Sequence, residues 1–141
     1  MAAYDPDNVF ARILRGDLPC HRIYEDAHAL AFLDIMPRVQ GHALVIPKRA
    51  GTDLLDTDAD VLADAMPALR KVARAVKAAT GAQGVSIEQY NGAVAGQTVF
   101  HAHFHVLPRH EGTALKPHGA APGDHAELAL TAKKIAAAIE G

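Results

Sequence analysis

Three histidines occupy alternate positions in one short segment, 100–107, which reads F-H-A-H-F-H-V-L. Successive side chains of a β-strand point to opposite faces, so this pattern places His101, His103 and His105 on one face at steps of about 7 Å. The intervening positions, which would face a core, are apolar: Phe100, Ala102, Phe104 and Val106. The segment therefore predicts a strand that presents a row of imidazoles.

Such a row has three interpretations. Histidines on a strand are commonly structural, but like-charge repulsion opposes the joint protonation of a clustered set, which makes this explanation weak here. A zinc site is the second interpretation, because same-face imidazoles can converge on one ion, and His42 would supply a further ligand. Nucleophilic catalysis is the third, since an imidazole with a pKa of about 6.5 is largely neutral at physiological pH and attacks phosphorus without an activating base.

The loop just upstream favours the third interpretation. Residues 91–98 read N-G-A-V-A-G-Q-T. Glycines such as Gly96 let the backbone approach an anion closely, and the side chains of Gln97 and Thr98 can donate hydrogen bonds to phosphate oxygens. A loop of this kind, joined directly to the histidine strand, places anion donors beside a nucleophile.

The helices and strands that position these residues are predicted from hydrophobic periodicity and from the positions of Gly and Pro. Helices are predicted over 8–15, 53–80 and 124–139, and strands over 21–25, 29–35, 41–47, 84–90 and 98–108. Pro67 lies inside the long helix, where we expect a kink or a break. Mixed elements with hairpin-like spacing predict an α+β domain on an antiparallel sheet. The composition does not shift along the chain, so we expect one domain over 1–141.

Composition excludes several classes of partner. The formal net charge is −2, so no basic stripe for nucleic acid is expected. No run of about 18 apolar residues exists, which argues against a membrane span. Cys20 is the single cysteine, so no intramolecular disulfide can form, and the N-terminus lacks the apolar run of a secretory signal. We therefore expect a cytoplasmic protein.

The segment G-Q-T-V-F-H-A-H-F-H-V-L-P-R, 96–109, resembles the histidine-triad (HIT) family, whose pattern is His-φ-His-φ-His-φ-φ with φ apolar. Residues 31–37 (A-F-L-D-I-M-P), 41–48 (G-H-A-L-V-I-P-K) and the opening V-F-A-R-I-L-R-G-D-L-P are also similar to family blocks. The resemblance covers about 8–109 and is closest to the bacterial HIT and Hint-like branch. It implies a HIT-like fold, a mainly antiparallel sheet of about five strands with a long central helix and short terminal helices.

The resemblance also implies roles for the histidines. His103 would attack the α-phosphorus of a purine nucleotide and form a covalent nucleotidyl-histidine, which water resolves to a nucleoside monophosphate. His101 and His105 would contact phosphate oxygens and the leaving-group side. The carbonyl of His101 would hold Nδ1–H of His103, which leaves Nε2 free to attack. His42 resembles the family's fourth histidine, which supports the triad.

The substrate-binding residues are implied in the same way. Asp34 resembles the carboxylate that accepts hydrogen bonds from the ribose hydroxyls, although a turn cap at a strand end is its alternative role. The base pocket would be apolar, with ordinary core packing as the alternative for each member: Val9, Phe10, Ile13, Phe32 and Ile35. Phosphate would be held by Asn91, Gly96, Gln97 and Thr98. Whether Tyr90 or Asn91 contacts phosphate stays open.

Departures from the family affect the metal and the leaving group. Some bacterial relatives carry Cys-x-x-Cys in the first helix and bind structural zinc, whereas this chain has N-V-F-A at 8–11. We therefore predict no metal and no cofactor. The chain lacks tryptophan, and its tail, 110–141, matches no family block, so the leaving group is undetermined.

The activity implied by the resemblance is hydrolysis of a phosphoramidate or adenylate of a purine nucleoside monophosphate. The alternatives are a dinucleoside polyphosphate hydrolase and, in a different class, a nucleotide-binding interaction module with little turnover. Hint-like members are homodimers with the long helix and an edge strand at the interface, so we also expect a homodimer.

Overall fold

A computed structural model of the chain describes residues 3–140, which form five strands and three α-helices. Their bounds are α1 Val9–Leu14, β1 Arg22–Glu25, β2 Ala29–Leu33, β3 Ala43–Pro47, α2 Ala59–Thr80, β4 Gly84–Glu88, β5 Phe104–Arg109 and α3 His125–Ala137. A short 3₁₀ turn, Ala93–Ala95, lies in the loop between β4 and β5. Within residues 3–140, no helix has the length and apolar character required to cross a bilayer.

All strands belong to one sheet of order β1-β2-β3-β5-β4, in which every neighbouring pair is antiparallel. The first three strands form a meander, and β5 inserts between β3 and β4. This arrangement confirms the predicted α+β class with a five-stranded antiparallel sheet, a long central helix and short terminal helices. It also sets the last triad histidine, His105, directly opposite Leu44 of β3.

The two faces of the sheet bury different sets of side chains. On the helix-covered face, side chains of the central strands such as Val45, Phe104 and Val106 are buried against α2 and α3. The opposite face, which we call the histidine face, buries a smaller apolar set together with α1: Phe10, Leu30, Phe32, Leu44 and Ile46. Because strand side chains alternate, Phe104 and Val106 of β5 face the helices while His105 lies on the histidine face, as predicted for this part of the segment.

The long helix differs from the prediction in its starting residue and in its continuity. It begins at Ala59, because residues 53–58 form a turn in which the carboxylate of Asp53 accepts hydrogen bonds from the backbone N–H groups of Leu55 (2.8 Å) and Asp56 (3.2 Å). Such side-chain bonds compete with helical ones. The helix also runs unbroken through Pro67, which lies on the exposed side, where solvent can satisfy the carbonyl that loses its partner.

The predicted strand over 98–108 is shorter than expected. The strand begins at Phe104, and residues 98–103, which we call the approach segment, are irregular with bends at 99–101. Its backbone bonds to a neighbouring loop, with the N–H of Ala102 lying 2.8 Å from the carbonyl of Gly51. Phe100 was expected in the core, but 39% of it is exposed, because strand alternation does not extend this far. His101 and His103 therefore precede the strand.

Candidate active site

Four histidines gather on the histidine face. His101 and His103 come from the approach segment, His105 is the second residue of β5, and His42 directly precedes β3. The ring centroids of His103 and His105 are 5.0 Å apart, and those of His42 and His105 are 5.2 Å apart. The structure thus joins the fourth histidine to the triad, although sequence spacing separates them widely.

His103 is held in a single neutral tautomer. Its Nδ1 lies 2.7 Å from the carbonyl oxygen of His101, and because a carbonyl only accepts, Nδ1 carries the proton. Nε2 then bears the lone pair. In the described part of the chain, Thr52 Oγ1 is the sole buried side-chain polar atom without a partner, so the unbonded Nε2 of His103 is not sealed from solvent. This orientation suits nucleophilic attack.

A second ordered chain of protons runs through His42 and His105. The backbone N–H of Arg38 donates to Nδ1 of His42 at 3.1 Å, so His42 carries its proton on Nε2. That Nε2 lies 2.9 Å from Nδ1 of His105 and donates to it. His105 consequently keeps its own proton on Nε2, which makes it a donor for an anionic oxygen on the histidine face.

Burial keeps these imidazoles neutral. Burial, together with the neighbouring His105, lowers the pKa of His42 to about 3. Burial and the adjacent His103 lower the pKa of His105 to about 4. Burial likewise lowers the pKa of His101 and of His103. The 3.5 Å approach of His42 Nε2 to Asp34 Oδ2 therefore involves a neutral ring and is not an ion pair.

The same residues could be considered as a metal site. Ligand-type atoms of Asp34, His42 and His105 all lie within 4.8 Å of one another. However, the Arg38 N–H at Nδ1 of His42 puts the proton on Nε2, which is the atom that faces the cluster. A cation there would require that proton to leave, so the donor set fits an ordered proton chain better than a metal.

Asp34 directly follows β2, and its two carboxylate oxygens have different surroundings. Its Oδ1 accepts the backbone N–H of Met36 at 2.8 Å, which is the turn cap. Its Oδ2 faces His42 and the histidine face. Burial raises the pKa of this carboxyl group, an effect that the Met36 N–H opposes. One oxygen therefore organises the turn while the other faces the site.

The predicted base-pocket residues differ in their exposure to solvent. Phe10 and Phe32 are buried and pack edge to face with ring centroids 5.5 Å apart, and Phe10 also contacts the His103 ring at 4.9 Å. Ile13 is half-buried beside them. Val9 and Ile35 are 47% and 52% exposed. The structure brings the two phenylalanines to the triad and leaves Val9 and Ile35 at the surface.

The Gln97 side chain holds the loop between β4 and β5 through hydrogen bonds to the backbone. The side chain is buried, and its Nε2 donates to the carbonyls of Thr52 (2.7 Å) and Val99 (3.0 Å), while Oε1 accepts the N–H of Gly92 (2.8 Å). Both amide hydrogens therefore go to backbone carbonyls instead of facing the site as donors for phosphate. Gly96 has a φ of 108°, a conformation that favours glycine.

The other loop candidates occupy different places. The Asn91 Oδ1 accepts the N–H of Leu54 at 2.9 Å and ties the loop to the segment after β3. Thr98 is exposed at the start of the approach segment. The Tyr90 ring lies 5.4 Å from the His105 ring, so of the pair left open by the sequence, Tyr90 flanks the triad.

Contacts that sequence spacing did not predict complete the site. The Tyr4 hydroxyl lies 2.7 Å from Nδ1 of His101, across 97 positions of sequence. The tail is pinned to the loop between β2 and β3, where Arg38 Nε donates to the Lys116 carbonyl at 2.8 Å and the Gly123 N–H donates to the Ile35 carbonyl at 2.8 Å. No periodicity marks such long-range partners, so the sequence offered no signal for them.

Comparison with known proteins identifies the class to which this site belongs. The HIT domain model matches residues 15–112. The structure superposes on a HIT-like protein of Bartonella henselae with a TM-score of 0.93 at 43% identity, covering 98% of this chain and 100% of that one. The chain therefore belongs to the HIT family, as its sequence predicted.

Relatives with curated names refine this membership. An uncharacterised HIT-like protein of Mycobacterium tuberculosis is 47% identical over 107 residues, which cover 76% of this chain and 74% of that protein. An adenosine 5'-monophosphoramidase of Schizosaccharomyces pombe is 41% identical over 101 residues, covering 72% of this chain and 73% of the yeast protein. The similarity to the named monophosphoramidase supports a HIT-family hydrolase.

Proposed function

We propose that this HIT-family hydrolase cleaves the bond between the α-phosphorus and the leaving group of a purine nucleoside monophosphate derivative, of the phosphoramidate or adenylate type. A nucleotidyl-histidine on His103 would be the intermediate. The observation that carries the proposal is the 2.7 Å contact of His103 Nδ1 with the His101 carbonyl, which leaves an unbonded Nε2 on a neutral ring. The similarity to an adenosine 5'-monophosphoramidase supports the substrate class.

In the first step, written for a phosphoramidate, the lone pair of His103 Nε2 attacks the α-phosphorus while the bond to the leaving nitrogen breaks. The leaving nitrogen takes a proton from solvent. The new bond makes the ring of His103 an imidazolium, whose Nδ1–H bonds more strongly to the His101 carbonyl. The Nε2–H of His105 would donate to a non-bridging oxygen, where charge builds up in the transition state.

In the second step, water attacks the same phosphorus and the bond to Nε2 breaks. Nucleoside monophosphate leaves, the protons of the water return to solvent, and His103 regains its neutral form. The buried Phe10 and Phe32 would hold the base, the outer oxygen of Asp34 would accept ribose hydroxyls, and loop amides around Gly96 would hold phosphate. Positioning and anion stabilisation would supply most of the acceleration.

The decisive experiment is rapid mixing of the protein with adenosine phosphoramidate labelled at phosphorus, followed by acid-free quenching. Label should remain covalently attached to wild type and be absent from His103→Ala. Faster turnover of diadenosine polyphosphate in a parallel assay would reassign the enzyme to polyphosphate hydrolysis. Tight AMP binding with neither substrate consumed would make it a binding module. Loss of activity on chelation would contradict the metal-free mechanism.

The proposal includes a homodimer in the cytoplasm. β4 forms an edge of the sheet and exposes 45% of Ile87, which supports pairing of this edge with a second copy. Light scattering should give twice the chain mass for wild type and the single mass for Ile87→Lys. Cys20 is a free, half-buried thiol, which is compatible with a reducing compartment.

A further inference from the structure

The N-terminal segment returns to the catalytic histidines through Tyr4. Its hydroxyl lies 2.7 Å from Nδ1 of His101, and its ring meets the imidazole edge to face at 5.7 Å. On the other side of the imidazole, Nε2 lies 2.8 Å from the carbonyl of Pro47. A carbonyl only accepts, so Nε2 carries the proton and Nδ1 accepts the phenolic hydrogen. The ring of His101 is thus held at both nitrogens.

We propose that Tyr4 is a positioning residue that fixes the ring of His101 and, through the carbonyl of that residue, the orientation of His103. The kinetic consequence rests on the proposed function, because it requires His103 to be the nucleophile. The structural consequence does not, since the tautomers and exchange rates of the two rings can be measured without a substrate.

The approach segment explains why a side-chain anchor is needed. A residue inside a sheet is held by ladder hydrogen bonds on both sides, but His101 and His103 precede β5. The approach segment is tied by a backbone hydrogen bond outside the sheet, from the Ala102 N–H to the Gly51 carbonyl at 2.8 Å. The His101 side chain is 1% exposed, and hydrogen bonds at both ring nitrogens hold this residue in place. They thereby fix the backbone carbonyl of His101, to which His103 donates.

The three bonds are consecutive. The phenol of Tyr4 donates to His101, the Nε2–H of His101 donates to Pro47, and the Nδ1–H of His103 donates to the carbonyl of His101. Removing the first leaves a buried nitrogen of His101 without a donor and frees the ring to tilt about its remaining bond. Burial, which lowers the pKa of His101, keeps that ring neutral and able to accept from the phenol.

The structural test is ¹⁵N-detected NMR of the imidazoles in wild type and Tyr4→Phe, which keeps the ring and removes the hydroxyl. In wild type, His101 should be the Nε2–H tautomer with a hydrogen-bonded Nδ1. In Tyr4→Phe, the Nδ1 resonance should move downfield toward the value of an unbonded acceptor. Solvent exchange of the His103 Nδ1–H should accelerate about fivefold, as expected for loss of one neutral hydrogen bond.

The kinetic test is the rate of covalent nucleotidylation in single turnover. Tyr4→Phe should lower that rate about fivefold with KM unchanged, because the hydroxyl bonds to His101 and not to the predicted nucleotide pocket. Tyr24→Phe is the matched control, since its hydroxyl bonds to Asp26 at 3.0 Å, outside the site, and should change neither readout. 3-Fluorotyrosine at position 4, which retains a hydroxyl, should keep the wild-type rate.

The outcomes separate the two hypotheses. Unchanged imidazole resonances in Tyr4→Phe would overturn the proposal, as would altered resonances with an unchanged nucleotidylation rate. A raised KM and lower Tm with unchanged resonances would make Tyr4 merely an anchor of the N-terminal segment. A wild type that consumes no nucleotide would overturn the proposed function, while the resonances of His101 and His103 would still decide the contact.

Discussion

The two faces of the sheet use the same strands for different purposes. On the helix-covered face, residues such as Val45 and Val106 are fully buried beneath α2 and α3. On the histidine face, the apolar cluster is smaller, the covering helix α1 has six residues, and four imidazoles stand beside it. Alternation within each strand lets one face stabilise the fold while the other exposes reactive groups.

Stability and chemistry are largely separable in this protein. Substitutions on the helix-covered face should change the free energy of unfolding and spare the turnover of folded molecules. Substitution of a reactive group on the histidine face, such as His103, should mainly change turnover. Polar groups are expensive to bury unless they are hydrogen-bonded, which is why the buried His101 and His42 use backbone and side-chain partners at both ring nitrogens.

The largest expected effect comes from removing the proposed nucleophile. His103→Ala should lower kcat by roughly four orders of magnitude or more, as loss of a covalent nucleophile does in other enzymes. Circular dichroism should remain that of wild type. His28→Ala is the control, because this histidine lies on the surface and should retain full activity. Near wild-type turnover by His103→Ala would assign the nucleophile elsewhere.

A deletion on the helix-covered face should affect stability instead. Ile135 of α3 is completely buried, and Ile135→Ala should lower the free energy of unfolding by about 2–5 kcal/mol through lost transfer energy and a cavity. Denaturant unfolding measures this change, and kcat per folded molecule should be unaltered. Leu130→Ala on the same helix, where the side chain is 68% exposed, should change stability little. A large loss of kcat in Ile135→Ala would break the separation of the faces.

Acid should weaken the fold through the histidine face. The unfolded chain binds protons at its histidines near pH 6.5, whereas the folded-state pKa is about 4 for His105 and about 3 for His42. Between these values the unfolded state carries more protons, so the free energy of unfolding falls as the pH decreases. Each such histidine contributes a slope of up to about 1.4 kcal/mol per pH unit.

This pH dependence is measured by denaturant unfolding between pH 4 and pH 7. His42→Gln should reduce the slope by the share of one histidine. Burial also lowers the pKa of His103, so the acid limb of kcat/KM should lie below the ordinary imidazole value of about 6.5. A stability that rises on acidification through this window would contradict buried, neutral histidines.

The smallest expected effect compares two helix N-caps, one on each face. Asn8 caps α1, whose Phe10 packs on His103, and Asp124 caps α3. Asn8→Ala and Asp124→Ala should each lower the free energy of unfolding by about 1 kcal/mol. Only Asn8→Ala should also raise KM for the nucleotide, by a few-fold, because it loosens the helix that carries Phe10. Equal KM values would show that α1 does not contribute to the pocket.

Local rules predicted most of the fold. Asn8 and Asp124 cap their helices, and Gly81 ends α2 in a left-handed conformation. Each of these features can be predicted from a single residue type at a helix end. The errors occurred where a local pattern met a long-range bond. The approach segment alternates like a strand, yet its Ala102 pairs with Gly51. Gln97 looked like an anion donor, yet its amide binds three backbone groups of the surrounding loops.

What the sequence determined by itself is the alternation along β5, where Phe104 and Val106 face the core and His105 faces the opposite side, because a two-residue period depends on backbone geometry alone. What tertiary structure decided is the protonation pattern. Arg38 directs the proton of His42, and the carbonyls of Pro47 and His101 direct those of His101 and His103. These partners are brought together by folding, and a proton's position on an imidazole depends on the atom that faces it.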